Sequence, residues 1–540
     1  MALAGNANPR TRTLLYPLLL LGGIALTVFL GFYLIDWAIL KPGRNPFVLL
    51  FNFDVDTLQN ALGNMAQVVA AILGIVITVV SIVVQLAATR YTPRIADMFF
   101  RDRTNLAVLG FFVVACINAV WCSVAVAHDF LPRVSIVFTM LLVTASLLIM
   151  VPYFAYVFDF LDPDRVVGRI QQQAVAAALD RGRLAGTLDQ RQQRALVGVE
   201  QLSDIAINAA SQKDKAIASG AVDAIKDLAV TYLAGKKAVH PEWFTAGARI
   251  RANPDFVSLA SESVEDIADK HIWLEYKVLR QYQSIYNEAL GQMPDVNHLI
   301  AINTRYVAEA AMTAQDSEAI LLSVKFFNTY LRATLNSQRW NVRTAYIVLN
   351  QYRLLAERML DAGLTARVGE IAFFFKYYAQ IAHSMDLGFI TETAAYDLAA
   401  LCERAYALGA PSHDAILKVL LEVDKEAESQ TQEHTLRGVR KAQAKLASFY
   451  LAAQDRAGGT GIRFARQIFD DMKDERPERL SSICDELLRI ESKDFWEVID
   501  RGTNFDYVDD ARKAQLKVFF SWFPSLNVGP RRSTGGPEAL

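Results

Sequence analysis

The chain has 540 residues, 53% of them hydrophobic and 21% charged, with a formal net charge of −2 and a mean hydropathy of +0.19. It has room for two or three domains, and it is too apolar for an ordinary soluble protein of this length. The near-neutral charge gives no support for nucleic-acid binding, and Cys116, Cys122, Cys402 and Cys484 have neither zinc-site spacing nor a disulfide framework.

Residues 1–13 are polar and carry Arg10 and Arg12. From Leu14 to Ile35 there is no charge, and Tyr33 and Trp37 stand at the far end as interfacial anchors would. The run is too long for a signal peptide and no small-residue cleavage site follows, so the first membrane helix is expected over about 14–37. Lys41 to Asn60 reads as a loop with Pro42, Gly43 and Pro46. Further apolar runs predict membrane helices over about 61–88, 106–128 and 134–158, each near the ~20 residues that span hydrocarbon.

The second of these carries an uneven face. Gly63, Gln67, Ala70, Gly74, Thr78, Ser81 and Gln85 recur at steps of three or four. On a helix they share a sector of roughly 80° and span about 33 Å. Val68, Ile72, Ile75, Val76, Val79, Ile82, Val83 and Leu86 are expected on the opposite side. Two readings of the stripe stay open. Small residues let helices approach and Thr, Ser and Gln bond across them. Alternatively, several copies surround a path and the stripe lines it. With no Asp, Glu, Lys or Arg in the stripe, a proton relay or coupled pump is not expected.

Basic residues set the expected orientation. Arg10, Arg12, Arg90, Arg94, Arg101, Arg103, Arg165 and Arg169 flank one side, whereas only Lys41, Arg44 and Arg133 flank the other. The positive-inside rule then puts both termini in the cytoplasm of a cell with this protein in its inner membrane. Arg90, Arg94, Arg101 and Arg103 with Pro93 form an elbow, read as a topology determinant and lipid-headgroup contact. A second reading has Pro93 as a bend that couples the helix to the cytoplasmic domain. Asn118 is expected to hydrogen-bond inside the bundle. Asp36, Asp54 and Asp56 are read as solvated charge rather than an acidic mouth.

Residues 164–527 differ in character. Charge returns throughout, Ala, Leu, Gln, Glu, Lys and Arg dominate, and apolar residues recur at helical spacing, as in Val348, Tyr352, Leu355 and Met359. Gly235, Pro241, Pro254, Pro294, Gly363, Gly388, Pro411 and Pro477 punctuate these helices. No alternation predicts a sheet and no fixed repeat period is present. Residues 528–540 have the composition of a disordered tail. The fold class expected is all-α: four transmembrane helices, then a large cytoplasmic helical domain, solenoid-like or an irregular bundle.

The segment VVQLAATRYTPRIADMFFRDRTNLAVLGFFV, Val83 to Val113, resembles the bacterial membrane-protein family known as domain of unknown function 2254. Its pattern is carried by Gln85, Leu86, Ala87, Ala88, Tyr91, Thr92, Pro93, Arg94, Phe99, Phe100, Arg101 and Asp102. The stretch Ala206 to Ile225 lacks the proline-containing turn often found in that family. The resemblance implies an architecture and no activity.

Chemistry-bearing motifs are sparse. His271 and Glu275 are four apart, which could pair two metal ligands, but no third ligand is near in sequence and a surface polar pair is expected. Gly458, Gly459 and Gly461 precede a helix without a P-loop Lys-Ser/Thr. FFFKYY, Phe373 to Tyr378, reads as core plus a helix contact. No serine-hydrolase, zincin or dinucleotide motif is present, so no enzyme, metal or cofactor is expected. The expected function is a homo-oligomeric, channel-like passage with the second helix nearest the axis. The competing reading is a membrane-anchored scaffold that binds a cytosolic protein partner.

Overall fold

The computed structural model describes residues 9–40, 54–90, 94–127, 130–180, 186–337, 342–424, 430–453, 459–494, 501–502 and 504–526. All named elements among them are helical, and the only β pairing is an isolated bridge between Ala127 and Phe130. The loop prolines, Lys41, Arg44, Tyr91–Pro93, Gly458 and the 528–540 tail lie outside the described residues. The chain divides into two compact units, Met1–Arg169 and Ile170–Leu540.

The first unit holds α1 (Pro9–Leu40), α2 (Val55–Arg90), the short α3 (Arg94–Phe100), α4 (Arg103–Ala125) and α5 (Arg133–Phe160). Segments of α1, α2, α4 and α5 are long and apolar enough to cross a membrane. α2 begins earlier than its apolar run. The Asp54 carboxylate accepts from Thr57 N at 3.2 Å and Thr57 Oγ1 at 2.9 Å, capping the helix. Asp54 is therefore tied to a helix end. α2, α4 and α5 pack on one another. Their shared core is Leu58, Leu62, Cys122, Val126 and Ile136 at one end and Val69, Ala115 and Val143 further along. Alanines 115 and 119 let α4 sit close, as small residues do between membrane helices. Asn118 donates to Thr139 Oγ1 at 2.7 Å, a hydrogen bond between α4 and α5.

After α6 (Pro163–Ala178), the second unit stacks long helices in two rows. One row is α8 (Lys215–Gly235), α13 (Pro294–Ala314), α15 (Val342–Asp361), α17 (Gly388–Ala407), α19 (Gln430–Ala452) and α22 (Asp510–Phe520). The other is α7 (Leu188–Ser211), α12 (Trp273–Ala289), α14 (Ser317–Leu335), α16 (Thr365–Ser384) and α18 (His413–Leu421). α20 (Thr460–Met472) and α21 (Pro477–Arg489) pack on α19. Short helices α9 (Ala248–Arg251), α10 (Pro254–Val257) and α11 (Ser261–Asp269) interrupt the alternation. Aromatics are buried both within a row, where Tyr286 stacks on Tyr330 at 4.7 Å, and between rows, where Phe327 stacks on Tyr352 at 4.8 Å.

The interruption is fixed by buried charge. Lys277, 1% exposed, donates to Glu200 at 2.9 Å, Asn253 Oδ1 at 3.0 Å and Asp255 at 2.5 Å. Lys236 likewise bridges Glu275 and Asp316, both at 2.6 Å. Burial raises the Glu275 carboxyl, against the pull of Lys236. Glu275 therefore serves an ion pair. His271 instead stacks on Phe244 at 4.2 Å, with a left-handed backbone at φ 59°. The two do not form the exposed polar pair expected from their spacing.

Candidate functional site

α2 has three faces. Leu58, Leu62, Ala66, Val69, Ile72, Val76, Val80, Val84 and Ala87 are buried against their own chain. Gln67, Ala70, Gly74, Thr78, Ser81 and Gln85 are exposed, and Gly63 is half-buried. Val68, Ile75, Ile82 and Leu86 are exposed on a third, largely apolar face. The eight aliphatics expected opposite the stripe thus divide. Ile72 and Val76 face the bundle, Val68, Ile75, Ile82 and Leu86 face outward, and Val79 and Val83 lie between. At about 100° per residue, the buried face lies roughly 130° from the stripe rather than across from it. α4 and α5 cover only one flank of the α2 cylinder.

The stripe is open within one chain. A Cβ on Gly63 or Gly74 would meet nothing within 4 Å. These glycines therefore do not serve close approach of α4 or α5. The Thr78 hydroxyl donates to Gly74 O at 2.8 Å, so its proton is used and its lone pairs remain. Gln67, Ser81 and Gln85 make no side-chain hydrogen bond to any described residue. Three polar groups at membrane depth, unpaired in the protomer, need water or another protein surface to satisfy them.

The elbow is built more elaborately than its charges suggest. The side chains of Arg90 and Arg94, like Pro93, lie outside the described residues, while Arg101 and Arg103 are exposed. Behind them, Ile95 and Phe99 are buried, and Phe99 meets Phe160 edge-on at 5.3 Å. Arg169 covers the other side of Phe160 at 4.0 Å. Asp102 caps α4 by accepting from Thr104 N at 2.9 Å and Asn105 N at 3.4 Å, and it also accepts the Tyr156 hydroxyl. Burial alone would raise the Asp102 carboxyl, but these hydrogen bonds outweigh it and hold it below the usual carboxylate range. Asn105, fully enclosed, donates to Phe99 O at 3.3 Å and accepts from Tyr153 at 2.6 Å.

This latch ties α3, the start of α4 and the end of α5 together. Sequence reasoning found Phe99 and Asp102 through the family pattern but missed Asn105, Tyr153 and Tyr156. The available signal was a buried-type Asn three residues after the capping Asp, with two tyrosines near the end of the fourth apolar run.

The other singled-out residues are not brought together. Gly459 has φ 83° at the start of α20, without a side-chain cap. In FFFKYY, Phe375 and Tyr378 are core, whereas Phe373 and Tyr377 are exposed. Cys402 is buried, and burial pushes its thiol well up. Among the described residues, no three His, Cys, Asp or Glu side chains gather as a metal cluster.

Comparison with known proteins gives one match. The family described as Predicted membrane protein (DUF2254) matches residues 10–242. The resemblance seen at Val83–Val113 therefore extends over the four apolar helices and through α7 and α8. Ala206–Ile225, although it lacks the proline turn, lies within the match. No curated protein and no solved structure matches the chain.

Proposed function

We propose that this membrane protein assembles as a homo-oligomer in which α2 of each copy lies nearest the axis and its stripe lines a passage for ions or small solutes. The observation that carries the reading is the openness of Gln67, Ala70, Gly74, Thr78, Ser81 and Gln85 on the protomer. Lipid tails satisfy Val68, Ile75, Ile82 and Leu86 but not the carboxamides of Gln67 and Gln85. Neighbouring copies or water satisfy them, and glycines in the stripe leave width for a path. Oxygens and amides without fixed charge make such a passage weakly selective.

In this reading the protein resides in the inner membrane, with both termini and the second unit in the cytoplasm. Arg90, Arg94, Arg101 and Arg103 contact lipid headgroups there. The latch of Asp102, Asn105, Tyr153 and Tyr156 braces the elbow beside α2, and in this reading the second unit is a regulatory domain. Recording from purified protein in planar bilayers tests the passage. Discrete conductance that changes on enlarging Gly74 supports it; silence under voltage, tension and trial ligands counts against it.

A second reading is favoured by the two-row layout of the second unit, which is long and studded with charge, as partner-binding helical stacks are. It makes the protein a membrane-anchored scaffold for a cytosolic protein, with a closed membrane bundle. A specific pulled-down partner together with electrical silence is its signature.

A further inference from the structure

Within the second unit, α15, α17, α19, α22 and the segment before α22 enclose a cavity of about 230 Å³. Four cationic side chains line it, Arg353, Lys445, Arg501 and Arg512, against two carboxylates, Asp397 and Glu403. Three of the cations are matched. Arg512 forms a fork with Glu403, two bonds of 3.0 Å. Arg501 and Arg353 share Asp397, with Arg353 Nε at 3.2 Å, and Arg353 also reaches Glu357. The nearby Asp506 is taken by Lys441 at 2.8 Å and Tyr396 at 2.6 Å. Asp509, half-exposed, leans on Arg512 at 3.4 Å.

Lys445 is the exception. Its ammonium donates to Phe505 O at 2.8 Å and lies 5.9 Å from the Tyr396 ring centre, and it makes no ion pair with any described residue. An ammonium has three donors, and one is used here. Asn504 adds another unused donor: its Oδ1 accepts from Asp506 N at 3.0 Å, while its NH2 group makes no hydrogen bond to any described residue. Burial pushes the Lys445 ammonium below its ordinary range, although Glu403 pulls the other way. A cation withdrawn from water without a carboxylate in direct contact is costly, and a bound anion offsets that cost.

We propose that this cavity binds a small phosphate-bearing anion, with the Lys445 ammonium as its anchor, the Asn504 amide as a second donor, and the ion-paired Arg353, Arg501 and Arg512 as the surrounding wall. Phosphate fits better than a single carboxylate because several of its oxygens are available to donors arriving from different directions, one on α19 and one in the segment before α22. The volume is below the range of sites for drug-sized ligands, so the ligand is inorganic phosphate or a phosphate ester of few carbons. This inference stands apart from the proposed passage, since it concerns only the second unit.

The test uses the full chain in detergent micelles, freed of phosphate and titrated calorimetrically with inorganic phosphate at constant ionic strength. Saturable binding is expected. Lys445→Met is expected to weaken it about ten- to a hundredfold, the worth of a hydrogen bond to a charged group. Lys418→Met, an exposed lysine on α18, leaves it unchanged. Should Lys445→Met fail to fold, Asn504→Ala provides the comparison, with a weaker but measurable loss expected. Parallel arms use citrate and vesicles containing phosphatidic acid. No saturable phosphate binding, equal binding by wild type and whichever of these two variants folds, preference for citrate, or binding only to the lipid overturns the proposal.

Discussion

Two neighbouring substitutions on α2 separate what holds one protomer together from what holds copies together. Val76 is fully buried against α4 and α5, whereas Gly74, two residues earlier, has open space where a Cβ would stand. Val76→Ala removes two methyl groups from the packed face and costs the protomer about 1–2 kcal/mol. The Cβ of Gly74→Leu stands in open space with no atom of its own chain within 4 Å, so the protomer is expected to keep its stability or gain a little from better helix propensity. If the stripe faces other copies, the same leucine overpacks each contact by about 1–3 kcal/mol. That weakens each contact by about fivefold to more than a hundredfold. The assay pairs reversible unfolding in micelles with the mass of the complex by light scattering. Val76→Ala should lower the unfolding free energy while leaving an assembled, less stable complex. Gly74→Leu should leave unfolding unchanged while shifting the mass toward one chain. A Gly74→Leu protein that keeps its assembled mass and loses protomer stability refutes the three-face reasoning.

Three further predictions concern the latch of the first unit and buried groups of the second. Tyr153→Phe leaves the buried Asn105 Oδ1 without its 2.6 Å donor and should cost about 1–3 kcal/mol in unfolding, where an equally buried tyrosine without a partner would cost nothing. Lys277→Met removes the buried cation that Glu200 and Asp255 share and should destabilise the second unit by about 3–5 kcal/mol, read as an early thermal transition; an unchanged transition contradicts the structural role given to that lysine. His413 donates from Nδ1 to the Asp414 carboxylate at 3.0 Å and its Nε2 hydrogen-bonds the Tyr450 hydroxyl at 2.6 Å, and burial holds its imidazole below 6.5, with Arg463 acting the same way and Asp414 opposing. The unfolded chain therefore takes up that proton first. The His413 contribution is complete above pH 6.5 and declines as pH falls from there to the lowered folded-state value. Comparing melts at pH 7.5 and 5.5, His413→Gln should lose less than the parent; an equal loss removes His413 as the cause.

The helical character of the chain was legible because periodicity and apolar run length report it directly, as Val348, Tyr352, Leu355 and Met359 do. The stripe was legible for the same reason. What covers each face was not. Ile75 and Val76 are adjacent and chemically alike, yet one is 57% exposed and the other buried. Only the crossing of α4 over α2 decides between them. The two rows of the second unit escaped detection as a repeat because consecutive pairs are joined by different contacts, stacked tyrosines at one level and buried lysines at another. Polar sites assembled across distant helices were equally silent. Lys445 and Asn504 are far apart in the chain, and neither carries a motif. Tyr153 and Asn105 meet only because α4 and α5 pack side by side.

Disulfide cross-linking between copies, in a background with Cys116, Cys122, Cys402 and Cys484 replaced, tests whether the stripe of α2 faces other copies of the chain. Cysteines at Gly74 and Ser81 should join neighbouring chains in membranes, while cysteines at Ile75 and Ile82 should not. Cross-links confined to Ile75 and Ile82 would put the glycine edge against acyl chains, and the passage would have no wall.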